Sequence, residues 1–582
     1  MIKKVCRIDC LLGIILMLLP FVNVCIGINI TDQGYNLANF ELFPDMNQTW
    51  MISTLAANII GKVFTLLPFG HYMLGMNIYC TLLLSVLSVV LFSILKKDFS
   101  KYAVFCGLVI AICFSWAPKV TLYQYLSYYL FDVAAVMLLC GIRKEDRRML
   151  FGAGVVLGIN LFVRFPNILQ TSLIVVVIFA AILRKRRFQE LMKDVLVCIT
   201  GYFSVVVPGI VLIEFVWGSG VYLGMINSLF AMTETATSYS PFSMFTSVYY
   251  AYVENLYWFK WLLIEAVSGV LIYGFLKKKW MKYAMQILMV CGFVLILRFY
   301  WNEGVLNTNY TGYASVYIWG ANLLMMSGVT MVFFVVLPKI SFESKLYALT
   351  MLVIIGVTPL GSNNVLYSNY NNLYLLAPVL VGTVEQLWHR SCQEDGQERQ
   401  RVWTFSPVPA VLAGWLLIGV TLWQTFFFHN AFVFGDTVMT AGSGKKVDGN
   451  KILSGMFTAE ENADALSELT IFIEENDLSG SSTIVWSQAP VLYYILDIEC
   501  AIGHFWPALA SYPYEEFCSD IAAMEEDPLI IYQARAYENL IKAAPDRDEK
   551  TQVITRILQE GNYAEIFRNE DYVVCLPVER ND

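Results

Sequence analysis

Long apolar stretches alternate with short polar turns over most of this chain, and the pattern changes near residue 427. Apolar runs near residues 8–29, 71–95, 102–118, 122–142, 149–163, 168–183, 194–217, 257–276, 281–299, 313–337, 345–360, 371–388 and 404–427 approach the length that crosses a bilayer, about 20 residues. They predict about thirteen transmembrane helices. The first follows Lys3, Lys4 and Arg7, as in a signal peptide, but no small-x-small cleavage site comes after it, so it reads as an uncleaved first helix. Beyond 427 the periods shorten. Ser482–Ser487, Pro528–Gln533, Tyr563–Phe567 and Tyr572–Leu576 read as strands, and Pro490–Ile495 and Lys550–Gln559 as helices. The expected fold is a polytopic α-helical membrane domain over 1–427 followed by a small α/β domain over 428–582.

Composition and charge then give this division a direction. The chain is 57% hydrophobic and 15% charged, where a soluble protein carries about a quarter charged residues. Its net charge of −8 hides an asymmetry: residues 1–426 hold 29 Lys and Arg against 20 Asp and Glu, and residues 427–582 hold 10 against 27. Lys and Arg gather in cytoplasmic loops. With the N-terminus inside, 24 of the 29 cations fall in inside segments; the others are Lys62, Lys119, Arg164, Lys260 and Arg298. An odd helix count then places the acidic tail outside a multi-pass cell-membrane protein. Nine of the thirteen cysteines lie at or in apolar runs, where Cys acts as a small hydrophobe, so no disulfide framework and no zinc site is expected.

Three outer segments carry candidate chemistry. Residues 30–70 form a long first loop whose stretch Trp50–Leu67 resembles an interfacial helix. Residues 218–256 form a second, and residues 361–372 a third, polar and uncharged. Asp32 lies directly after the first helix, where a carboxylate can reach a lipid-linked head group and serve as a general base; Glu41 and Asp45 follow as candidate partners. The plainer reading is that Asp32 caps a short helix while Gly34 and Tyr35 shape a turn. Arg164, in Arg164-Phe-Pro166, falls in the outer part of the hydrocarbon, where an arginine is costly unless it meets a carboxylate, a phosphate or a wet cavity. It reads alternatively as a snorkelling anchor. Arg298, Lys62 and Lys119 complete a set of outer cations suited to a phosphate, each equally well explained singly as an interfacial anchor. Tyr35 and Tyr123 could stack on a sugar, although most of the aromatic residues read as interfacial belts. No nucleotide-binding glycine motif, His/Cys cluster or serine triad appears, and nothing suggests nucleic acid.

These features resemble the GT-C superfamily of membrane glycosyltransferases, which includes protein O-mannosyltransferases and aminoarabinose transferases. The likeness is carried by Asp32 after helix one, the long first outer loop, and a close fifth and sixth helix joined at Gly154, Gly158, Arg164 and Pro166. The late loop Thr358-Pro-Leu-Gly-Ser-Asn-Asn364 and an α/β tail ending in a tyrosine-containing hairpin complete it. The resemblance implies inverting transfer of a sugar from polyprenyl phosphate to a glycan, lipid or protein acceptor. Asp32 would be the catalytic carboxylate, basic residues would hold the lipid phosphate, and Ser362, Asn363 and Asn364 would border the sugar. It departs from the family at residues 117–122, Ala-Pro-Lys-Val-Thr-Leu, where members carry a second acidic residue; Asp132 lies ten residues into the next helix. A divalent metal therefore has no clear ligand cluster, and the cofactor is left open. The competing readings are a flippase of lipid-linked oligosaccharide, a polysaccharide polymerase or ligase, and an inactive glycan-binding anchor.

Overall fold

A computed structural model describes residues 2–115, 123–235, 240–276, 278–308, 310, 314–338, 340–361, 364–394, 408–433, 439–440, 442–543, 549–560 and 563–578. The helical part opens with α1 (Ile2–Leu18), a 3-10 turn, and three short helices α2 (Asp32–Leu42), α3 (Gln48–Ser53) and α4 (Leu55–Thr65). There follow α5 (Met73–Leu95), α6 (Lys101–Phe114), α7 (Tyr123–Lys144) and α8 (Arg147–Val163). A 3-10 segment, Phe165–Leu173, leads into α9 (Ile174–Leu183), α10 (Phe188–Trp217), α11 (Val221–Thr235) and α12 (Pro241–Phe275). Then come α13 (Lys279–Asn302), α14 (Ala314–Val336), α15 (Phe342–Val357), α16 (Tyr367–Tyr370), α17 (Leu376–Glu394) and α18 (Val408–His429).

Each of the thirteen apolar runs overlaps a helix, although the first, expected over 8–29, is helical only to Phe21, and only eight helices among the described residues are long and apolar enough to cross a membrane. These span Met73–Leu95, Tyr123–Lys144, Phe165–Leu183, Phe188–Trp217, Phe242–Ile272, Trp280–Asn302, Ser315–Val336 and Val408–His429. The expected thirteen is corrected for four helices by length, since α1, α6, α8 and α15 have 17, 14, 17 and 16 residues, and for the 19-residue α17 by composition, since its second half is polar from Glu385 to Glu394. At 1.5 Å per residue the first four reach about 21–26 Å, short of a hydrocarbon core about 30 Å thick. Residues 218–256 are corrected too. Instead of a loop they hold α11 and the first 16 residues of the 35-residue α12, which starts on Pro241 and meets no further proline to stop it. Trp50–Leu67, expected as one interfacial helix, is broken at Thr54 into α3 and α4.

Glycines set the closest helix contacts. A Cβ at Gly154 would lie 2.1 Å from the Cys198 carbonyl, one at Gly158 2.7 Å from the Tyr202 carbonyl, and one at Gly201 2.2 Å from the Phe151 carbonyl. The small-x-x-x-small spacing on α8 thus lets its backbone touch that of α10, as lipid-embedded helices require when no hydrophobic driving force separates them from the solvent. This packing fixes the end of α8, and with it Arg164.

The tail begins with a two-residue pair, β1 (Ala431–Phe432) and β2 (Met439–Thr440), and then α19 (Glu460–Glu475). Its main elements are β3 (Ser482–Trp486), α20 (Val491–Ile495), β4 (Glu499–Cys500), α21 (Tyr514–Ala522), β5 (Leu529–Gln533), α22 (Ala534–Ala543), α23 (Glu549–Glu560), β6 (Tyr563–Arg568) and β7 (Tyr572–Pro577). The sheet order is β4-β3-β5-β7-β6, with β3 parallel to β4 and β5, and β7 antiparallel to β5 and β6. Strand alternation sends Ile484, Trp486, Ile530 and Val573 to one face, against Phe517 and Ile554, and Val485, Ile531 and Val574 to the other.

That second face is shared. Val485, Val491, Leu466 and Val574 form one core with Ile28, Leu37, Phe40, Met73 and Met76 from the segment after α1 and the start of α5. Backbone bonds knit the two together: Gly27 N–H to Phe457 O at 2.7 Å, Met73 N–H to Ile452 O at 3.0 Å and Val491 N–H to Ile30 O at 3.1 Å. Gly34 sits inside α2 rather than in a turn. Its missing side chain makes the contact, since a Cβ there would lie 2.5 Å from Val491 Cα.

Candidate functional site

The first turn of α2 is held by amides. The Gln33 backbone N–H donates to Asn29 Oδ1 at 2.8 Å, and the Gln33 side chain accepts from the Asn29 backbone and donates to Asn77 Oδ1 of α5 at 2.9 Å. Asp32 is the first helical residue, with Thr31 as the cap, so the cap role expected for Asp32 falls one residue earlier. Its carboxylate nonetheless lies where the macrodipole favours negative charge. Water reaches the Asp32 side chain. Dense surrounding protein still desolvates it and pushes its pKa up to about 6. Asp32 is thus open to water yet close to enough protein to disfavour its charged form.

Asn36 ties this helix to α7. Its Nδ2 donates to the Asp32 carbonyl at 2.7 Å and its Oδ1 accepts from the Tyr123 backbone N–H at 3.1 Å. One residue further on, Gln124 Oε1 accepts from Asn364 Nδ2 at 3.3 Å, which brings in the late loop. Gly361, at φ +78°, lets that loop sit on the Arg164-Phe-Pro166 element, because a Cβ at Gly361 would lie 2.2 Å from Pro166 Cβ.

Arg164 caps α8 in an extended conformation, φ −162° and ψ 128°. Only 8% of it is exposed, its Nε has no hydrogen-bond partner, and no carboxylate among the described residues pairs with it. It lies close enough to the Tyr128 phenol to act on it electrostatically. Beneath it Asn160, Asn167, Gln170 and Ser127 satisfy one another: Asn160 Nδ2 donates to Ser127 O at 2.9 Å, Asn167 Nδ2 to Ser127 Oγ at 2.9 Å, and Gln170 Nε2 to Asn167 Oδ1 at 3.3 Å. This network locks the 3-10 segment onto α7 without using the guanidinium. A buried, unpaired cation costs several kcal/mol, so the position calls for an anion. Asp32, through Asn36 and Tyr123, and Arg164, beside Tyr128, are therefore anchored on the first turns of one helix, with anchor points about 7.5 Å apart along its axis.

The other candidates sit differently. Glu41 is about 13 Å along α2 from Asp32, with Oε1 3.1 Å from His71 Nδ1. Lys62 donates to the Glu41 backbone carbonyl, and Asp45 is exposed after the Phe43–Pro44 turn. Arg298 is exposed on α13, which packs mainly on α12 and α18. Tyr35 stacks at 6.1 Å on His504 and meets Trp506 at 6.0 Å, so the tail forms the wall beyond Asp32. His504 is buried, which drives its pKa down to about 3, and its Nδ1 accepts from the Trp506 backbone N–H. The neutral ring thus carries its proton on Nε2. Lys119, Ser362 and Asn363 lie outside the described residues.

No group of three His, Cys, Asp or Glu side chains able to hold a metal exists among the described residues. Asp132 is fully buried in α7 with both carboxylate oxygens unpartnered. It lies about 13 Å down the helix from Tyr123, away from the end of α7 to which Asn36 ties α2. The amide network around Asn160 and the tail residues His504 and Trp506 escape a reading of the sequence, because nothing local marks them. No protein-family model matches the chain, and no curated protein sequence matches it.

Proposed function

We propose that the chain transfers a sugar from a polyprenyl-phosphate donor to an acceptor hydroxyl at the membrane surface, with inversion, in the manner of the GT-C glycosyltransferases. The observation that supports this reading is Arg164: a guanidinium almost fully buried and lacking any carboxylate partner among the described residues, near the end of α7 to which Asn36 also ties the helix of the desolvated Asp32. The acceptor O–H attacks the anomeric carbon as Asp32 takes its proton, and the bond from that carbon to the phosphate oxygen breaks. The leaving polyprenyl phosphate departs with the bonding electrons, and Arg164 holds its charge. A base with a pKa of about 6 is ionised at neutral pH and stronger than an ordinary aspartate. Desolvation thus suits Asp32 to this step.

N-terminus inside, tail outside and a lipid-linked donor belong to the same proposal, since the sequence carries no nucleotide-binding glycine motif. Membranes containing the protein, supplied with labelled polyprenyl-phosphate sugars, test it. Transfer that disappears in both Asp32→Asn and Arg164→Ala supports the reading. Full transfer by Asp32→Asn removes the carboxylate from the mechanism, and lipid movement across vesicles without bond formation decides for a flippase.

A further inference from the structure

Where the tail meets α2 and α3, three N–H donors are buried without an acceptor. Trp50 Nε1, His504 Nε2 and Trp506 Nε1 have no hydrogen-bond partner among the described residues. An indole N–H can only donate, and His504 Nδ1 already accepts from the Trp506 backbone, so Nε2 carries the proton and donates as well. His504 and Trp506 are 2% and 7% exposed. Folded proteins pair nearly all such donors, so three in one place call for acceptor oxygens from a ligand.

The three belong to one cluster of rings. The Trp50 ring lies 5.4 Å from that of His504 and nearly perpendicular to it, Tyr35 lies 6.1 Å from His504 and 6.0 Å from Trp506, and Tyr512 stacks on His504 at 4.2 Å. Both sides of the cluster are tied down. The Asn47 backbone N–H donates to Gly503 O at 2.7 Å, and Lys550 Nζ donates to the carbonyls of Pro507, Leu509 and Tyr512 at 2.8, 2.6 and 3.0 Å. Tyr35 and Trp50 are only half-buried, and the exposed Asp32 precedes Tyr35 by three residues, on the same face of α2.

These features restrict the ligand. It brings oxygen acceptors for the N–H groups and a C–H face for the rings. It carries no net negative charge, because the donors are neutral, the Lys550 ammonium is taken up by three carbonyls, and the carboxylates of Asp32 and of Glu516, which accepts from Asn47 Nδ2 at 2.9 Å, stand on this side. We infer that a neutral oligosaccharide binds here, with a sugar ring on Tyr35 and Trp50 and its oxygens accepting from His504 Nε2 and Trp506 Nε1. The half-exposed rings turn aside to admit it, since they cover the N–H groups. The inference deepens the proposed transfer and rests on it for one point: the hydroxyl offered to Asp32 then belongs to a glycan rather than to a lipid or a protein.

The full-length protein in nanodiscs tests it without any lipid-linked donor, by titration with neutral tri- and tetrasaccharides of glucose, mannose, galactose and N-acetylglucosamine followed by calorimetry and saturation-transfer NMR. At least one is expected to bind. Trp506→Phe keeps a ring and loses the N–H, and should weaken binding about five- to tenfold; Trp50→Leu loses a stacking face and should weaken it about tenfold. Trp301→Leu removes an exposed indole on α13 and should bind as the parent does. Binding of no saccharide, unchanged binding in Trp506→Phe and Trp50→Leu, equal losses in all three variants, or tighter binding of a serine- and threonine-rich peptide would overturn the assignment. Saccharide binding without transfer in the donor assay sinks the Asp32 reaction and leaves this site standing, whereas transfer to a lipid or peptide acceptor with no saccharide bound does the reverse.

Discussion

The two ends of α7 handle charge in opposite ways. At the Lys144 end, arginines and carboxylates are interlocked: Arg186 bridges Glu145 and Asp194, and nearby Arg143 pairs with Asp98. At the Tyr123 end, Asp32 and Arg164 each lack an ion-pair partner among the described residues, and amides rather than charges hold the elements together. Paired charges define a scaffold, because removing one leaves its partner stranded. Unpaired, desolvated charges cost stability and mark positions that a ligand can satisfy.

The contrast can be broken experimentally. The largest effect is expected at the Asp32 end on activity: Asp32→Asn should lower transfer by about 100-fold or more, the usual loss for a general base, without lowering the unfolding midpoint. Asp194→Ala should do the reverse, leaving activity per folded molecule intact while costing roughly 2 kcal/mol in chemical unfolding. That is less than a fully buried pair loses, because Arg147 is half exposed. Arg164→Met should leave stability unchanged or raise it by about 1 kcal/mol, since it removes a buried charge that has no partner. A fall of several kcal/mol would mean that the guanidinium is structural.

The smallest expected effect is in pH dependence. The folded pKa of Asp32, about 6, exceeds that of the unfolded chain, so the folded state binds the proton more tightly. The stability linked to that proton is complete below pH 4 and is lost as pH rises through about 6. The midpoint of the parent protein should therefore fall slightly between pH 4 and 7 relative to Asp32→Asn. Transfer should rise over the same window as the base ionises. Parallel midpoint curves for the two proteins would place the carboxyl in open water.

Much of the scaffold is legible in the sequence. Every apolar run overlaps a helix, because backbone groups near lipid must bond within their own segment, and the strands at Ser482, Pro528, Tyr563 and Tyr572 follow from period-two alternation. Span lengths were harder to read. In α8 and α15 the apolar run ends short of a bilayer, and packing against neighbours rather than hydropathy decides their place. Tyr, Ser and Thr made residues 218–256 look like a loop, but those residues do not stop a helix when lipid and neighbouring helices surround it.

The site divides in the same way. Asp32 and Arg164 stood out locally, one by its position after the first helix and the other by its cost in hydrocarbon. Their convergence on α7 did not, since it depends on Asn36 meeting the Tyr123 backbone and on Gly361 meeting Pro166, contacts 87 and 195 residues apart in the chain.

By itself the sequence determined the membrane character, the approximate helix positions, the strand pattern of the tail and the charge asymmetry. All of these follow from hydropathy and periodicity within about 20 residues. Only the tertiary structure decided that the tail and the segment around residues 28–46 share one core, that Arg164 is buried with no carboxylate partner among the described residues, and that Arg186 bridges Glu145 and Asp194 at the far end of α7. Those outcomes depend on which distant side chains share a space, and local periodicity carries no information about that.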